Sequence, residues 1–366
     1  LVDRLLRSPH YGERWGRWWL DQARYADSNG YSIDSPRSIW KYRDWVIDAL
    51  NADLPFDQFT IEQLAGDLLP GATTAQTVAT GFHRNTQINQ EGGIDKEQFR
   101  IDSVFDRVAT TGTVWLGLTI GCAQCHDHKF DPISQREFYQ LFAFFNNQDE
   151  PTIKVYPEEW DVDAMNAEKQ SLEKQLQTMF EEGAETQANW EESLSDEERE
   201  SLSSNVRKAL ATSDDKRSFS QRLELFASGP KGRDEDFQSL MEAHADLTDT
   251  LSSVPTTMVL QERTTPRKTH ILIKGDFTRP ADEVAPGTPS ILHPFEASNA
   301  EANRLDLARW LVDPRNPLTA RVIVNRLWQQ YFGRGLVSTD NDFGLVGERP
   351  THPELLDWLA AEFVDR

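Results

Sequence analysis

The chain has 366 residues, 38% of them apolar, and a formal net charge of -22 at pH 7. That length can bury more than one core. The charge repels nucleic acid and anionic lipid at long range, and the longest weakly polar run, Thr110 to Ile120, is interrupted by Gly112 and Gly117 and is too short to span a membrane.

The opening "LVDRLLRSPHYGERW" starts within a helical pattern, without an initiator Met or a signal peptide, and the last helical pattern stops at Arg366. The sequence is therefore expected to be a fragment, truncated at its C-terminal end. Leu1 to Gln148 reads as mainly helical and rich in aromatic residues. Trp15, Trp18, Trp19 and Gln22 or Ala23 fall at helical spacing, as do Tyr42, Trp45, Val46 and Leu50, and then Phe59, Ile61, Leu64 and Leu68. "RNTQINQEGG", Arg84 to Gly93, is polar and ends in glycine, which suits a surface or pocket-lining loop. Asp21, Arg24, Tyr25 and Asp27 suit either ion pairing or a polar cluster facing a ligand. An amphipathic helix predicted over Asp102 to Leu118 leads into the cysteines, and another follows with Phe138, Leu141, Phe142 and Phe145 on one face.

Between Pro151 and Thr250 the chain holds 24 acidic and 11 basic residues. Its apolar stripes (Met165, Leu172, Leu176 and Met179; Leu202, Val206 and Leu210; Phe237 to Leu251) predict a solvated helical insertion. Ser195 and Glu198 form a capping-box pair before the second stripe. The period then changes. Met258 to Leu260 and His270 to Ile273 flank Thr264 to Lys268, which predicts a β-hairpin turning at that segment. "TRPADEVAPGTPSILHPF" reads as an extended wrapping segment. Helices are predicted at Arg304 to Val312, from Pro317 to Phe332, and after a cap at Thr351 with Glu354 three residues on.

Both cysteines of the chain lie in "GLTIGCAQCHDHKFDP", as Cys122 and Cys125, directly before His126. C-x-x-C-H is the attachment signature of c-type haem. Two thiols add across the porphyrin vinyl groups, one turn of backbone presents both sulfurs to one edge of the ring, and the adjacent imidazole is the proximal iron ligand. Covalent haem c is the cofactor this pattern favours. Two alternatives stay open: zinc held by Cys122, Cys125, His126 and His128, and a disulfide or redox-active dithiol. The adjacency of Cys125 and His126 argues against four zinc ligands within so short a segment. For a second axial haem ligand His10 and His83, which precede the motif in the same aromatic-rich stretch, are favoured over His128, His270, His293, His352 and the four methionines, with an open iron as the alternative; His244 lies on an apolar stripe and belongs to a core. Asp127 and Asp131 suit either turn and cap positions or a charged partner of a bound group. No carboxylate spacing signals a hydrolase.

"SPHYGERWGRWWLDQARYADSNGY", "QLAGDLLPG", "TGTVWLGLTIGCAQCHDHKFDPISQREFYQLFAFFNN", "IKGDFTRPADEVAPGTP" and "LARWLVDPRNPLTARVIVNRLWQQYFGRGLVSTDNDFG" resemble the planctomycete cytochrome-associated proteins. In that family a PSCyt-type domain containing C-x-x-C-H precedes a PSD-type domain of unknown function. The resemblance covers nearly all of the chain except the acidic middle. It implies a periplasmic or secreted protein, members that carry a further cytochrome domain, and association with carbohydrate breakdown. It also carries Cys122, Cys125 and His126 onto the family's attachment element.

The expectation is thus a mainly α protein. It comprises a helical haem-binding unit over 1–150, an acidic helical insertion over 151–252, and a PSD-like unit over 253–366 with a small β-hairpin followed by helices. The expected function is electron transfer by a periplasmic c-type haem protein, or a haem-dependent oxidoreductase linked to polysaccharide breakdown. Its partner is expected to be a redox protein or further cytochrome domain, with carbohydrate as a second candidate and nucleic acid excluded. The alternative is a structural or glycan-binding module whose C-x-x-C-H element binds zinc or forms a disulfide.

Overall fold

The computed structural model describes residues 1–298 and 301–365; Arg366, where the last helical pattern was expected to end, lies outside them. The fold is mainly α: sixteen α-helices and three two-stranded sheets among the described residues. The chain forms two compact units, one of residues 1–153 with 256–366 and one of residues 154–255.

The first unit begins with α1 (Val2–Leu6), α2 (His10–Gln22), α3 (Trp40–Asn51), α4 (Phe56–Ala65), α5 (Thr74–Ala79), α6 (Lys96–Thr111) and α7 (Gln135–Asn146), then β1 (Gln148–Asp149) and β2 (Thr152–Lys154). The second unit holds α8 (Val162–Glu182), α9 (Ala184–Ser193), α10 (Asp196–Ser201), α11 (Ser204–Ala211), α12 (Phe219–Ser228) and α13 (Glu235–Ser252). The chain returns to the first unit through β3 (Thr256–Met258), β4 (Gln261–Glu262), β5 (Thr269–Leu272) and β6 (Pro280–Val284). It ends with α14 (Arg304–Val312), α15 (Thr319–Phe332) and α16 (Pro353–Asp365).

The core of the first unit is aromatic because the helical spacing of Trp19, Tyr42, Trp45 and Phe59 turns them to one centre. Trp19 meets Phe59 and Trp115 edge-on at centroid distances of 4.9 and 6.1 Å. Buried rings with polar tips need partners. Trp19 Nε1 and Tyr42 Oη both donate to Gln63 Oε1, at 2.7 and 2.8 Å, and Trp115 Nε1 donates to Thr60 Oγ1 at 3.1 Å. The C-terminal helices belong to the same unit: α14 packs on α4, and α15 packs on the turn at 112–116. Two fully buried arginines anchor them. Arg304 donates from Nη2 to both Asp67 oxygens (2.9 and 2.7 Å) and from Nη1 to the Leu64 carbonyl (2.6 Å). Arg326 donates to the carbonyls of Val114 (2.6 Å) and Thr113 (2.7 Å), and burial lowers its pKa to about 10.

In the second unit Leu176, Phe180, Phe226 and Phe237 form one apolar cluster, and Val206, Ala209 and Leu225 form another. His244 is buried, as its stripe predicts, with its ring tilted against Phe219 at 5.4 Å. The Ser195–Glu198 capping box forms. Its helix is shorter than expected, because the backbone is extended at Leu202 and Ser203 caps a new helix, α11.

The predicted hairpin around Thr264 to Lys268 does not form. β4 pairs with β1, and β5 pairs antiparallel with β6, so the hairpin lies one segment later and turns over Ile273 to Arg279. That turn is closed by Lys274 and Gly275 at φ +58° and +75°, and by Asp276 Oδ1, which accepts from the Thr278 amide and hydroxyl. Asn147 instead occupies Arg267, accepting from its amide, so the earlier segment is spent on α7.

Candidate functional site

Cys122 and Cys125 lie on the short 3₁₀ turn Ile120–Gln124 and its C-terminal cap. In a 3₁₀ turn, residues three apart eclipse one another. Ile120 and Ala123 therefore share the inner face and are buried, at 1% and 0% exposure, while Cys122 and Cys125 share the outer face and are exposed. Both thiols are free. The apolar pair holds the turn down and leaves both cysteines exposed.

The chain reaches this turn by a sharp bend. α6 runs into a π turn at Gly112–Leu116, and Gly117 then takes a left-handed conformation at φ +59°. A Cβ at Gly117 would stand 2.8 Å from Val322 Cγ2 and 2.9 Å from Phe343 Cδ2, so only glycine lets α15 and the 343 segment close against the bend. Phe343 seals it by donating its amide to the Gly117 carbonyl at 2.7 Å.

Gln135, Tyr139 and Gly275 hold the motif from the other side, and none of the three carries a local sequence pattern that ties it to the cysteines. The Gln124 carbonyl accepts from Gln135 Nε2 (3.0 Å) and from Tyr139 Oη (3.1 Å). Both donors also reach the Leu272 carbonyl at the end of β5. Burial pushes the Tyr139 hydroxyl well above its ordinary pKa, so it stays a donor across the accessible pH range. Gly275, beyond β5, comes so close that a Cβ there would lie 3.0 Å from Gln124 Nε2 and 3.1 Å from Cys125 Sγ.

His126 is exposed. Its Nδ1 lies 2.7 Å from the carbonyl of Asp127. A carbonyl only accepts, so Nδ1 carries a proton and donates it, which in the neutral ring leaves the lone pair on Nε2. This is the arrangement of a metal-ligating histidine whose second nitrogen is held by backbone. His128 is oriented the opposite way. Its side chain is only 5% exposed, and its Nδ1 accepts from the Asp131 amide at 2.8 Å, which in the neutral ring puts the proton on Nε2. His128 is thus a turn residue here. Asp127 and Asp131 have similar duties: Asp127 Oδ1 accepts from the Gln135 amide (2.8 Å), and Asp131 Oδ1 from the Leu345 amide (2.7 Å).

The other sequence candidates lie elsewhere. His10 stands at the exposed start of α2, its Nδ1 2.8 Å from Glu13 Oε2. His83 is fully buried, enclosed by Phe82, Trp115 and Phe145, with Nε2 3.4 Å from Thr111 Oγ1. Burial, reinforced by the charges of Arg107, Arg24 and Arg304, holds its ring neutral. Among the described residues no group of three or more His, Cys, Asp or Glu side chains is placed to hold a metal ion, so Cys122, Cys125, His126 and His128 do not gather as a zinc site. The arrangement offers two soft nucleophiles on one exposed face and one imidazole with a bare Nε2. Those donors suit covalent capture of a planar electrophilic ring followed by axial ligation of its metal.

Residues 1–150 match the family model of PSCyt2, a protein of unknown function (DUF1549), and residues 303–366 match that of PSD1, a protein of unknown function (DUF1553). This is the domain order that the resemblance implied. Both matched segments lie in the first compact unit, and the acidic insertion lies outside both. No curated protein and no solved structure matches the chain.

Proposed function

We propose that this pairing of a PSCyt2 with a PSD1 domain is a c-type haem protein that transfers electrons, with Cys122 and Cys125 as thioether anchors and His126 as proximal ligand. One observation carries the reading: two free, exposed thiols share a face of the 3₁₀ turn, followed at once by an imidazole whose Nδ1–H is held by backbone. When bound, the haem supplies a one-electron redox centre. The chain contributes the rest. The buried Ile120 and Ala123 keep both sulfurs outward, and the Asp127 carbonyl fixes the tautomer of His126 and raises the basicity of Nε2. Gln135 and Tyr139 hold the turn by its Gln124 carbonyl. The proposed setting is periplasmic or extracellular, with a redox protein or second cytochrome domain as partner.

The exposure of both thiols also favours one rival, a reversible dithiol–disulfide pair. The two separate when the protein is produced with the cytochrome c maturation machinery. A Soret band that survives acid-acetone extraction, lost in Cys122→Ser/Cys125→Ser and altered in axial-ligand bands in His126→Ala, supports attachment. Mature native protein that is colourless, with an unmodified peptide across 117–132 by mass spectrometry, overturns it. If that colourless protein gains two titratable thiols on reduction, the dithiol reading takes its place.

A further inference from the structure

α2 carries Trp15, Trp18 and Trp19, and their rings join two others into one unbroken series. Tyr331, on α15, meets Trp15 at a centroid distance of 5.6 Å. Trp15 meets Trp18 at 6.2 Å, Trp18 meets Trp19 at 6.2 Å, and Trp19 meets Trp115 at 6.1 Å. All four separations lie within the range of about 4.5–7 Å over which aromatic rings are in contact. The series runs from the core to the surface. Trp115 and Trp19 are 1% and 2% exposed, Trp18 and Trp15 are half-buried, and Tyr331 is 71% exposed. The inner end, Trp115, belongs to the π turn Gly112–Leu116 by which α6 leads towards the cysteine turn.

Packing alone does not call for this composition. Where the same core only needs filling it uses phenylalanine: Phe59 and Phe82 also meet Trp19, at 4.9 and 6.1 Å. Every member of the series is instead an indole or a phenol, the aromatic side chains that give up an electron most readily. Their polar tips suit the movement of charge. Trp19 Nε1 donates to Gln63 Oε1, and Trp115 Nε1 donates to Thr60 Oγ1. Neither an amide oxygen nor a hydroxyl is a base at neutral pH. An indole oxidised there keeps its N–H proton and remains a strong oxidant of the next ring. Tyr331 has the opposite setting, because surrounding water can take its phenolic proton. Two neighbouring phenols do not compete on these terms. Burial raises the pKa of Tyr11, which meets Trp15 at 6.4 Å. Burial also holds the Tyr42 hydroxyl well above its ordinary pKa, where it donates to the same Gln63 oxygen as Trp19.

We propose that Trp115, Trp19, Trp18, Trp15 and Tyr331 form a relay that carries one-electron oxidation of the core out to the surface at Tyr331. A one-electron oxidant, such as a small inorganic radical, takes an electron from one of the indoles and leaves an indole radical cation. The next ring outward supplies the missing electron and is oxidised in turn. At the end Tyr331 gives one electron to Trp15 and its phenolic proton to water. The tryptophans are then restored, a neutral tyrosyl radical remains, and the chain has lost one electron and one proton. A thiol or enediol in solution returns both to the phenol. The relay operates with or without haem at the cysteine turn, so it does not rest on the haem reading.

The test is laser photoionisation of the full chain without haem, in the presence of an electron scavenger. Ultraviolet light ejects electrons from buried and exposed indoles alike. The indolyl absorbance is expected to decay as the tyrosyl absorbance rises, at one rate that does not depend on protein concentration. A nitroso spin trap should then leave an adduct on Tyr331, located by peptide mass spectrometry. Tyr331→Phe, at an exposed position where folding is not at stake, should lower the tyrosyl yield. Trp18→Phe and Trp15→Phe each keep a ring for packing, break the series, and leave Tyr331 exposed. The Tyr331 adduct should fall in Trp18→Phe, which cuts off the inner indoles, and fall further in Trp15→Phe. A tyrosyl yield unchanged by Tyr331→Phe overturns the relay. So does a Tyr331 adduct that either tryptophan variant leaves undiminished, or a tyrosyl rise whose rate grows with protein concentration.

Discussion

At Gly275 a single added methyl group would touch Cys125 Sγ and Gln124 at once, in a backbone conformation that L side chains rarely adopt. One glycine therefore decides how closely the 273–279 turn approaches the thiol. Gly275→Ala is expected to crowd Cys125 and leave Cys122 untouched. Competitive alkylation of the native reduced protein, read peptide by peptide, should show Cys125 slowed relative to Cys122; an unchanged ratio argues against the contact. The histidines teach the same lesson. His126 and His128 are two residues apart in sequence, yet one donates through Nδ1 and the other accepts there. Composition and spacing do not distinguish them, because the tautomer is set by whichever backbone group the fold brings alongside.

Among the elements, α7 illustrates how local signals specify structure that then serves the site. Ser134 accepts from the Glu137 amide, and Glu137 returns the bond to the Ser134 amide at 2.8 Å, a reciprocal cap visible in "SQRE". Ser134→Ala should cost about 1 kcal/mol, measured as a lower denaturation midpoint. It should also loosen Gln135 and Tyr139, which hold the cysteine turn by its carbonyl. The bend before that turn is stricter. Gly117→Ala combines φ +59° with overlap against Val322 and Phe343. It should cost more than the cap loss, roughly 2 kcal/mol or above, because backbone strain and overpacking add. An equal or smaller loss in the same denaturation series refutes that order. The misplaced hairpin belongs to this scale too. Strand pairing is decided by which edge finds a partner, and apolar runs of two to four residues do not name theirs.

Taken whole, the first unit is stitched by buried charges contributed from distant parts of the chain. Arg304, at 0% exposure, meets Asp67 and the Leu64 carbonyl across more than two hundred residues of sequence. Arg304→Ala leaves the carboxylates of Asp67 and Glu262 without their buried cation, a loss on the order of 3–5 kcal/mol, and should show as a large fall in melting temperature. Glu150 ties Arg84 to Arg107. Burial alone would push its carboxyl up, but the charges of Arg107 and Arg84 outweigh it and lower its pKa from the ordinary 4.5 to about 2. A depressed folded value contributes stability above the unfolded pKa and loses it as pH falls through the folded one. The advantage in melting temperature of wild type over Glu150→Gln should therefore be full at pH 6 and shrink steadily between about pH 4.5 and 2. A difference that does not vary with pH refutes the pairing. The acidic unit is expected to be dispensable for this framework. The Val155 amide donates to the Pro255 carbonyl at 2.8 Å, so the chain leaves and returns at neighbouring points. Replacing residues 156–254 by a short Gly-Ser linker should leave the remainder cooperatively folded by circular dichroism.

By itself the sequence determined the mainly helical fold and its longest apolar stripes, the acidic composition of the middle stretch, the order of the two matched domains and the C-x-x-C-H element. Each of these is written in neighbours within one or two turns, by periodicity, caps and composition. It could not determine the partners of β4 and β5, the inward retreat of His83, the opposed tautomers of His126 and His128, or the meeting of Tyr331 with Trp15. Those depend on groups brought together from separate segments, and a short apolar run or a lone polar side chain has the same local energy whichever distant surface it meets. Tertiary contact alone breaks that degeneracy.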